Sequence, residues 1–414
     1  TIALTLQYVS AFDLSCRKNA RLHTLRMTID DGGGGGGELL TRSEATLRAL
    51  AYPLGAAAAF RAGAAVSVVG QPRMPPASDL PGPHRTIGSR IVRLPASGAR
   101  VRVFYPSSCA DESSAVVETK HAPYCTDGRA TSDGMAGLVG FRQLGLSFLL
   151  AHLADADSGC LEDAPPDRST KAWPLLVYSH GYGGNFDMAT YFFRTLASMG
   201  MIVAAVEHTD GTASSTVLPD GNRLEFSPSL LSGREQLDRR AMELLEAATL
   251  SNLPTDFAID SSRLFLGGHS YGAPSSILAA SQAPTQKLDI AGLILHDPAL
   301  GMGYGRLSGL GSILETIPTV SYTSDEYNAA GVRFGDLTLH CRGAFHGNFV
   351  DAPLWAPPIV MRTLSLLIPA AGPADPVCVH NALAESASAF MLSLRPVYGD
   401  DTASGDSDLF EMVS

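Results

Sequence analysis

Arg263 to Ser276 reads RLFLGGHSYGAPSS, and the rest of the chain is best understood from there. Leu264, Phe265 and Leu266 form a short apolar run, Gly267 to Gly272 (GGHSYG) make a tight turn, and a helix-like segment follows from about Ala273. Within the turn, Gly268, Ser270 and Gly272 fit G-x-S-x-G, a strand-to-helix elbow that lifts a serine hydroxyl clear of the backbone. A Cβ at either flanking glycine would collide with the neighbouring strand or helix once the serine is forced into a strained conformation. Ser270 is therefore the candidate nucleophile. A five-residue pattern also occurs in ordinary Gly-rich turns, so its weight comes from its surroundings.

Those surroundings alternate strand and helix. Upstream, Pro174 to Ser179 (PLLVYS) is a continuous apolar run of the kind buried on both faces of a parallel sheet. His180 to Gly184 (HGYGG) turns, Met188 to Met199 is helical and closed by Gly200, and Met201 to Val206 (MIVAAV) is the next strand. Arg234 to Leu250 places Leu237, Ala241, Leu244 and Ala248 at helical spacing. Beyond the elbow come strands at Ala291 to Leu295, Thr319 to Tyr322 and Leu337 to Cys341, then helices at Leu354 to Leu367 and Val379 to Leu394. This order predicts an α/β fold, a mostly parallel doubly wound sheet with helices on both faces, of the α/β-hydrolase kind.

The flanks are less regular. The first 28 residues carry Arg17, Lys18, Arg21 and Arg26 against Asp13, a bias shared by targeting segments and by extended, unfolded leaders. Gly32 to Gly37 is a linker without the Lys and Ser/Thr of a phosphate loop. Residues 1–79 are therefore expected to be a poorly structured extension, 80–398 the hydrolase domain, and 399–414 an acidic, loose tail. Strands are expected at Ile91 to Leu94 and Val101 to Pro106, and an amphipathic helix over Gly134 to Leu153.

Composition narrows the chemistry. The 414 residues are 45% hydrophobic, ample for a large core, and carry a formal charge of −11, which argues against nucleic-acid binding. The six cysteines show no metal-like spacing, so no metal site and no cofactor are expected. Cys109 and Cys125 bracket a polar insertion and are the most plausible disulfide pair, with free thiols as the alternative. The compartment stays open between cytosolic and secreted, soluble or peripheral to membranes, because no stretch qualifies as a transmembrane span.

A serine hydroxyl needs a base in contact and an acid that orients the base. In this fold the three arrive in chain order Ser, acid, His, from loops at the carboxyl ends of strands. Asp297 follows Ser270 by 27 residues and lies just past a strand; His346 follows by 76 and lies just past another. Asp289 lies at the wrong end of its strand, Asp210 and Asp351 break the order, His269 is expected to project away from the serine hydroxyl as a packed histidine, and His296 competes for an active-site position but is too near the acid in sequence to be the base. The oxyanion donors expected are the backbone N–H of Tyr271 and that of Tyr182 or the adjacent Gly183.

Five blocks, PLLVYSHGYGG, LASMGMIVAAVEHTDGTAS, REQLDRRA, GGHSYGA and GAFHGNFVD, together resemble the platelet-activating-factor acetylhydrolase family, the group VII phospholipases A2, over about Pro83 to Leu394. The resemblance implies a calcium-independent serine esterase that removes short or oxidised sn-2 acyl groups from phospholipids. It implies Ser270, Asp297 and His346 as the triad and Tyr182 and Tyr271 as oxyanion donors, with no metal. It also implies lipid docking through two apolar segments, matching Leu144–Leu153 and Trp355–Leu367, for which core packing is the alternative. Two departures stand out: Tyr271 replaces the family's usual Phe, and the acid sits in LHDPAL, one residue offset from the family's Leu-Asp-aromatic form. A general carboxylesterase, cutinase-like or dienelactone-type hydrolase would use the same residues on other esters, and a catalytically silent binding protein would keep only the fold.

Overall fold

The continuously apolar strands owe their composition to what covers them on each side. The computed structural model describes residues 74–108, 120–169, 172–226, 234–303, 307, 316–358, 361, 371–396, 398 and 409–413. It opens with an antiparallel hairpin, β1 (Ile87–Arg93) and β2 (Arg100–Pro106), followed by β3 (His121–Pro123), α1 (Arg129–Leu138) and β4 (Asp157–Glu162). The α/β repeat runs β5 (Trp173–Ser179), α2 (Thr190–Ser198), β6 (Ile202–Glu207), a small hairpin of β7 (Ser215–Val217) and β8 (Arg223–Glu225), then α3 (Arg234–Ala248). It continues with β9 (Ile259–His269), α4 (Gly272–Gln282), β10 (Gly292–His296) and β11 (Thr319–Thr323). The last elements are α5 (Asp325–Ala329), β12 (Leu337–Cys341), α6 (Pro376–Ser393) and β13 (Phe410–Val413).

One eleven-stranded sheet has the order β13-β12-β11-β10-β9-β5-β6-β2-β1-β4-β3. From β12 to β6 the neighbours pair in parallel, while β2 and β13 join the two flanks antiparallel. Alternate residues of each central strand serve opposite cores. Leu176, Tyr178, Val203, Ala205, Phe265 and Ile294 pack with α2 and α6; Leu175, Val177, Ile202, Ala204, Leu266 and Leu293 pack with α3 and α4. A two-sided core favours an apolar side chain at successive positions, which is why the middles of these strands read as apolar runs.

The expected mostly parallel doubly wound sheet is what the chain forms. Local expectations differ in three places. The helix expected over Gly134 to Leu153 stops at Leu138; Gly140 (φ 78°) and Gly145 (φ 70°) turn the chain into the left-handed region, and short 3₁₀ turns replace the helix at Ser147–Leu149 and Ala151–Asp155. The segment after Gly399 is not loose to its end, because Phe410–Val413 pairs with β12 and buries Phe410. Cys125 is a buried free thiol, so the Cys109–Cys125 disulfide is not formed. Residues 1–73, with the basic segment and the glycine linker, lie outside the described residues, as do 399–408 and most of 359–370.

Candidate active site

The elbow is built by the backbone before any side chain is considered. β9 ends at His269 and α4 begins at Gly272, with Ser270 between them at φ 55°. A Cβ on Gly268 would lie 2.4 Å from the Gly272 carbonyl carbon, and one on Gly272 would lie 2.0 Å from the Ser179 carbonyl oxygen, so neither position admits a larger residue. The Ser270 N–H donates to the His296 carbonyl at 2.9 Å, and the Ser270 carbonyl accepts from Ala273 and Ala299 at 3.1 and 3.2 Å. The nucleophile candidate is thereby fastened to the end of β10, where the acid candidate follows.

Asp297 is the first residue past β10 and is itself left-handed, at φ 44°. Its N–H donates to the Tyr322 carbonyl at 2.8 Å, and its fully buried carboxylate accepts from the Ser324 N–H at 2.6 Å. The other carboxylate oxygen, Oδ2, lies 2.8 Å from His346 Nδ1. The offset of the acid within LHDPAL thus does not keep it from the histidine. His346 opens a 3₁₀ turn, His346–Phe349, just after β12, and its side chain keeps 23% exposure. Its ring packs against those of His269, at 4.4 Å between centroids, and Tyr327, stacked nearly parallel at 5.0 Å. His269 directly precedes Ser270, so the base candidate rests against the elbow.

Three residues that the sequence did not single out hold this pair. Ser324 caps α5, accepting from the Tyr327 N–H at 3.3 Å while its own N–H engages Asp297. Glu326 accepts the His346 N–H at 2.7 Å, and burial pushes its carboxyl up from the ordinary range. Tyr327 supplies the stacked ring. A serine cap followed by two acidic residues, Ser324-Asp325-Glu326, is the sequence signal of this helix start.

The competing residues have other surroundings. His269 and His296 are buried, and burial holds both imidazoles below their ordinary range, His296 at about 3. His296 Nδ1 meets the Tyr178 hydroxyl at 2.8 Å. Asp210 is ion-paired with Arg240 at 2.9 Å, and Asp351 accepts from the Tyr191 N–H and the Tyr124 hydroxyl. Asp289 is exposed ahead of β10. Of the oxyanion candidates, the Gly183 N–H donates to the Thr212 carbonyl at 2.7 Å and is engaged there. The loop crosses the elbow closely: a Cβ on Gly181 would lie 3.1 Å from the Ser270 Cβ.

The described residues of the two segments expected to dock on lipid differ in burial. Leu144 and Phe148 are 56% and 41% exposed, while Trp355 is only 6% exposed and donates its indole N–H to the Tyr124 hydroxyl at 2.8 Å. Trp355 therefore packs in the core beneath α1, not outward. Among the described residues no helix is long and apolar enough to cross a membrane, and no group of three His, Cys, Asp or Glu side chains could hold a metal ion.

The parallel sheet with a serine at its strand-to-helix elbow defines an α/β-hydrolase fold. The ferulic acid esterase from Streptomyces cinnamoneus superposes with a TM-score of 0.59 at 19% identity, over 83% of this chain and all of that one. The family model for platelet-activating factor acetylhydrolase, isoform II, matches residues 87–243. The platelet-activating factor acetylhydrolase of Gallus gallus is 26% identical over 228 residues, 45% of this chain and 52% of that protein. That of Bos taurus is 31% identical over 157 residues, 30% of this chain and 35% of that protein. The chain thus spans about half or less of the length of these relatives. The resemblance to the platelet-activating factor acetylhydrolase family is borne out, and the ferulic acid esterase shares the fold.

Proposed function

We propose that this chain is a serine ester hydrolase that cleaves short or oxidised sn-2 acyl groups from phospholipids, with Ser270 as nucleophile, His346 as general base and Asp297 as its orienting acid. The observation that carries the reading is the 2.8 Å contact of Asp297 with His346 Nδ1, made where the imidazole rests on the residue preceding Ser270. A carboxylate on Nδ1–H fixes the tautomer that leaves Nε2 free of its proton and able to accept one. Ser270 Oγ then attacks the ester carbonyl carbon as its proton passes to Nε2. The carbonyl oxygen becomes an oxyanion facing the N–H groups of Tyr271 and Tyr182. Collapse breaks the bond to the alcohol oxygen, which leaves with the proton from His346. Water repeats the sequence on the acyl-enzyme, releasing the free acid and returning the proton to Ser270. No step calls for a metal ion.

The family match supports the phospholipid substrate, and Ser270→Ala tests the site. It is expected to abolish hydrolysis of a short-acyl phospholipid and labelling by a fluorophosphonate; undiminished turnover would refute the assignment. A panel graded by sn-2 chain length, run with and without a calcium chelator, tests the substrate class and should show a short-chain preference indifferent to chelation.

A second reading, an esterase for soluble esters, is favoured by the burial of Trp355, the first residue of one of the two segments expected to face lipid. Faster turnover of a simple acyl ester than of a short-chain phospholipid would select it.

A further inference from the structure

Beneath the loops that carry Tyr182 and Tyr271 lies a buried polar network that the proposed chemistry does not use. Ser179 Oγ sits 2.8 Å from His208 Nε2, and His208 Nδ1 sits 2.7 Å from Glu243 Oε2. This serine-histidine-acid relay has the outline of a second triad, but Ser179 and His208 are sealed at 0% exposure, out of reach of any ester. Burial also holds His208 well below the ordinary imidazole range, so it stays neutral and accepts from Ser179. Against this relay lies the guanidinium of Arg240, also at 0% exposure.

Arg240 contacts His180, Asp210, Thr212 and the Tyr271 ring. Its Nη1 donates to the His180 carbonyl at 2.6 Å, at the first residue of the HGYGG turn. Nε donates to Asp210 Oδ2 at 2.9 Å, and Nη2 donates to the Thr212 hydroxyl. The Thr212 carbonyl in turn accepts the Gly183 N–H, next to Tyr182. The guanidinium carbon also lies 4.7 Å from the centroid of the Tyr271 ring. Burial alone would push the Asp210 carboxyl up, but Arg240 and Thr212 bring it below its ordinary range and keep it ionised.

We propose that Arg240 is a positioning residue for the oxyanion hole, a single planar cation that sets the spacing between the Tyr182 loop and Tyr271. The inference rests on the site reading given above. Arginine suits the task because its rigid fork offers several donors in fixed directions and stacks on an aromatic face; lysine can replace the charge but not the geometry. A shift of about 1 Å in such donors costs on the order of 100-fold in rate.

The test compares Arg240→Lys and the charge-neutral pair Arg240→Met with Asp210→Asn, using a simple acyl ester and an alkyl boronic acid whose tetrahedral serine adduct presents an oxygen to the same donors. Rates are divided by the fraction of protein labelled by a fluorophosphonate, which removes any loss due to misfolding. The expected result is a fall in kcat of roughly 100-fold for the pair and about 10-fold for the lysine variant. KM should stay nearly constant and boronate affinity should weaken in parallel with kcat. Should the pair not fold, the lysine variant decides alone. Labelled variants with kcat and boronate affinity both near the parent's would overturn the role of Arg240 while leaving the site assignment intact, provided Ser270→Ala is inactive. An active Ser270→Ala would instead remove the site itself.

Discussion

Asp297 shows how much one backbone angle can decide. The residue is left-handed at φ 44°, and that twist sends its carboxylate to both the Ser324 N–H and His346 Nδ1. Asn in its place would keep the shape but offer an amide where the imidazole needs an anion, favouring the wrong tautomer. Asp297→Asn is therefore expected to lower kcat by about 10³- to 10⁴-fold with little change in KM, measured by steady-state hydrolysis of a simple ester. The pairing of Asp297 with His346, and Ser270 as the candidate beside them, were legible in the sequence because strand ends and chain order restrict which polar residues can converge. Glu326 and Tyr327 were not, because a ring stacked on His346 and a carboxylate on its N–H are contacts between segments that no local pattern records.

At the scale of elements, α5 is five residues long yet supplies three contacts to the acid and base through its cap and first turn. Tyr327→Ala removes the ring that backs His346, and is expected to lower kcat about 10-fold; Tyr327→Phe keeps the stack and should keep most of the rate. A pH profile of kcat/KM separates a reoriented base from a general loss, since only the former moves its acidic limb. β13 makes a second prediction. Deleting residues 409–413 uncovers the edge of β12 and removes the buried side chain of Phe410, and should cost about 2 to 3 kcal/mol, read as a lower melting temperature. Two strands did not stand out in the sequence: β13 is four residues, and β4, DSGCLE, has no apolar alternation. The helix over Gly134 to Leu153 failed for the opposite reason, since its apolar spacing was sound but Gly140 and Gly145 redirect the backbone.

At the scale of the molecule, the sheet was readable because runs such as PLLVYS and MIVAAV are apolar on both faces, and only a central parallel strand requires that. What ties distant segments together is polar, and therefore quieter in sequence. Asp351 joins the N-terminus of α2 to Tyr124 and lies 3.8 Å from His380 of α6. Burial raises its carboxyl from 3.8 to about 8. Between those values the native chain holds a proton that the unfolded chain has released, so stability from this group is full below about pH 4 and declines as pH rises toward 8, by up to about 1.4 kcal/mol per pH unit. Asp351→Asn removes that dependence, and the melting temperature of the variant relative to the parent should improve steadily from pH 5 to pH 8. The paired left-handed residues Ser270 and Asp297 carry a further consequence for anyone evolving this chain toward heat resistance. Glycine at position 270 would relax the backbone by about 1 kcal/mol, whereas at 297 it would also leave the buried Ser324 N–H without its acceptor. A selection for survival on heating alone would enrich the replacement at 270, and its winners would be durable proteins that turn nothing over.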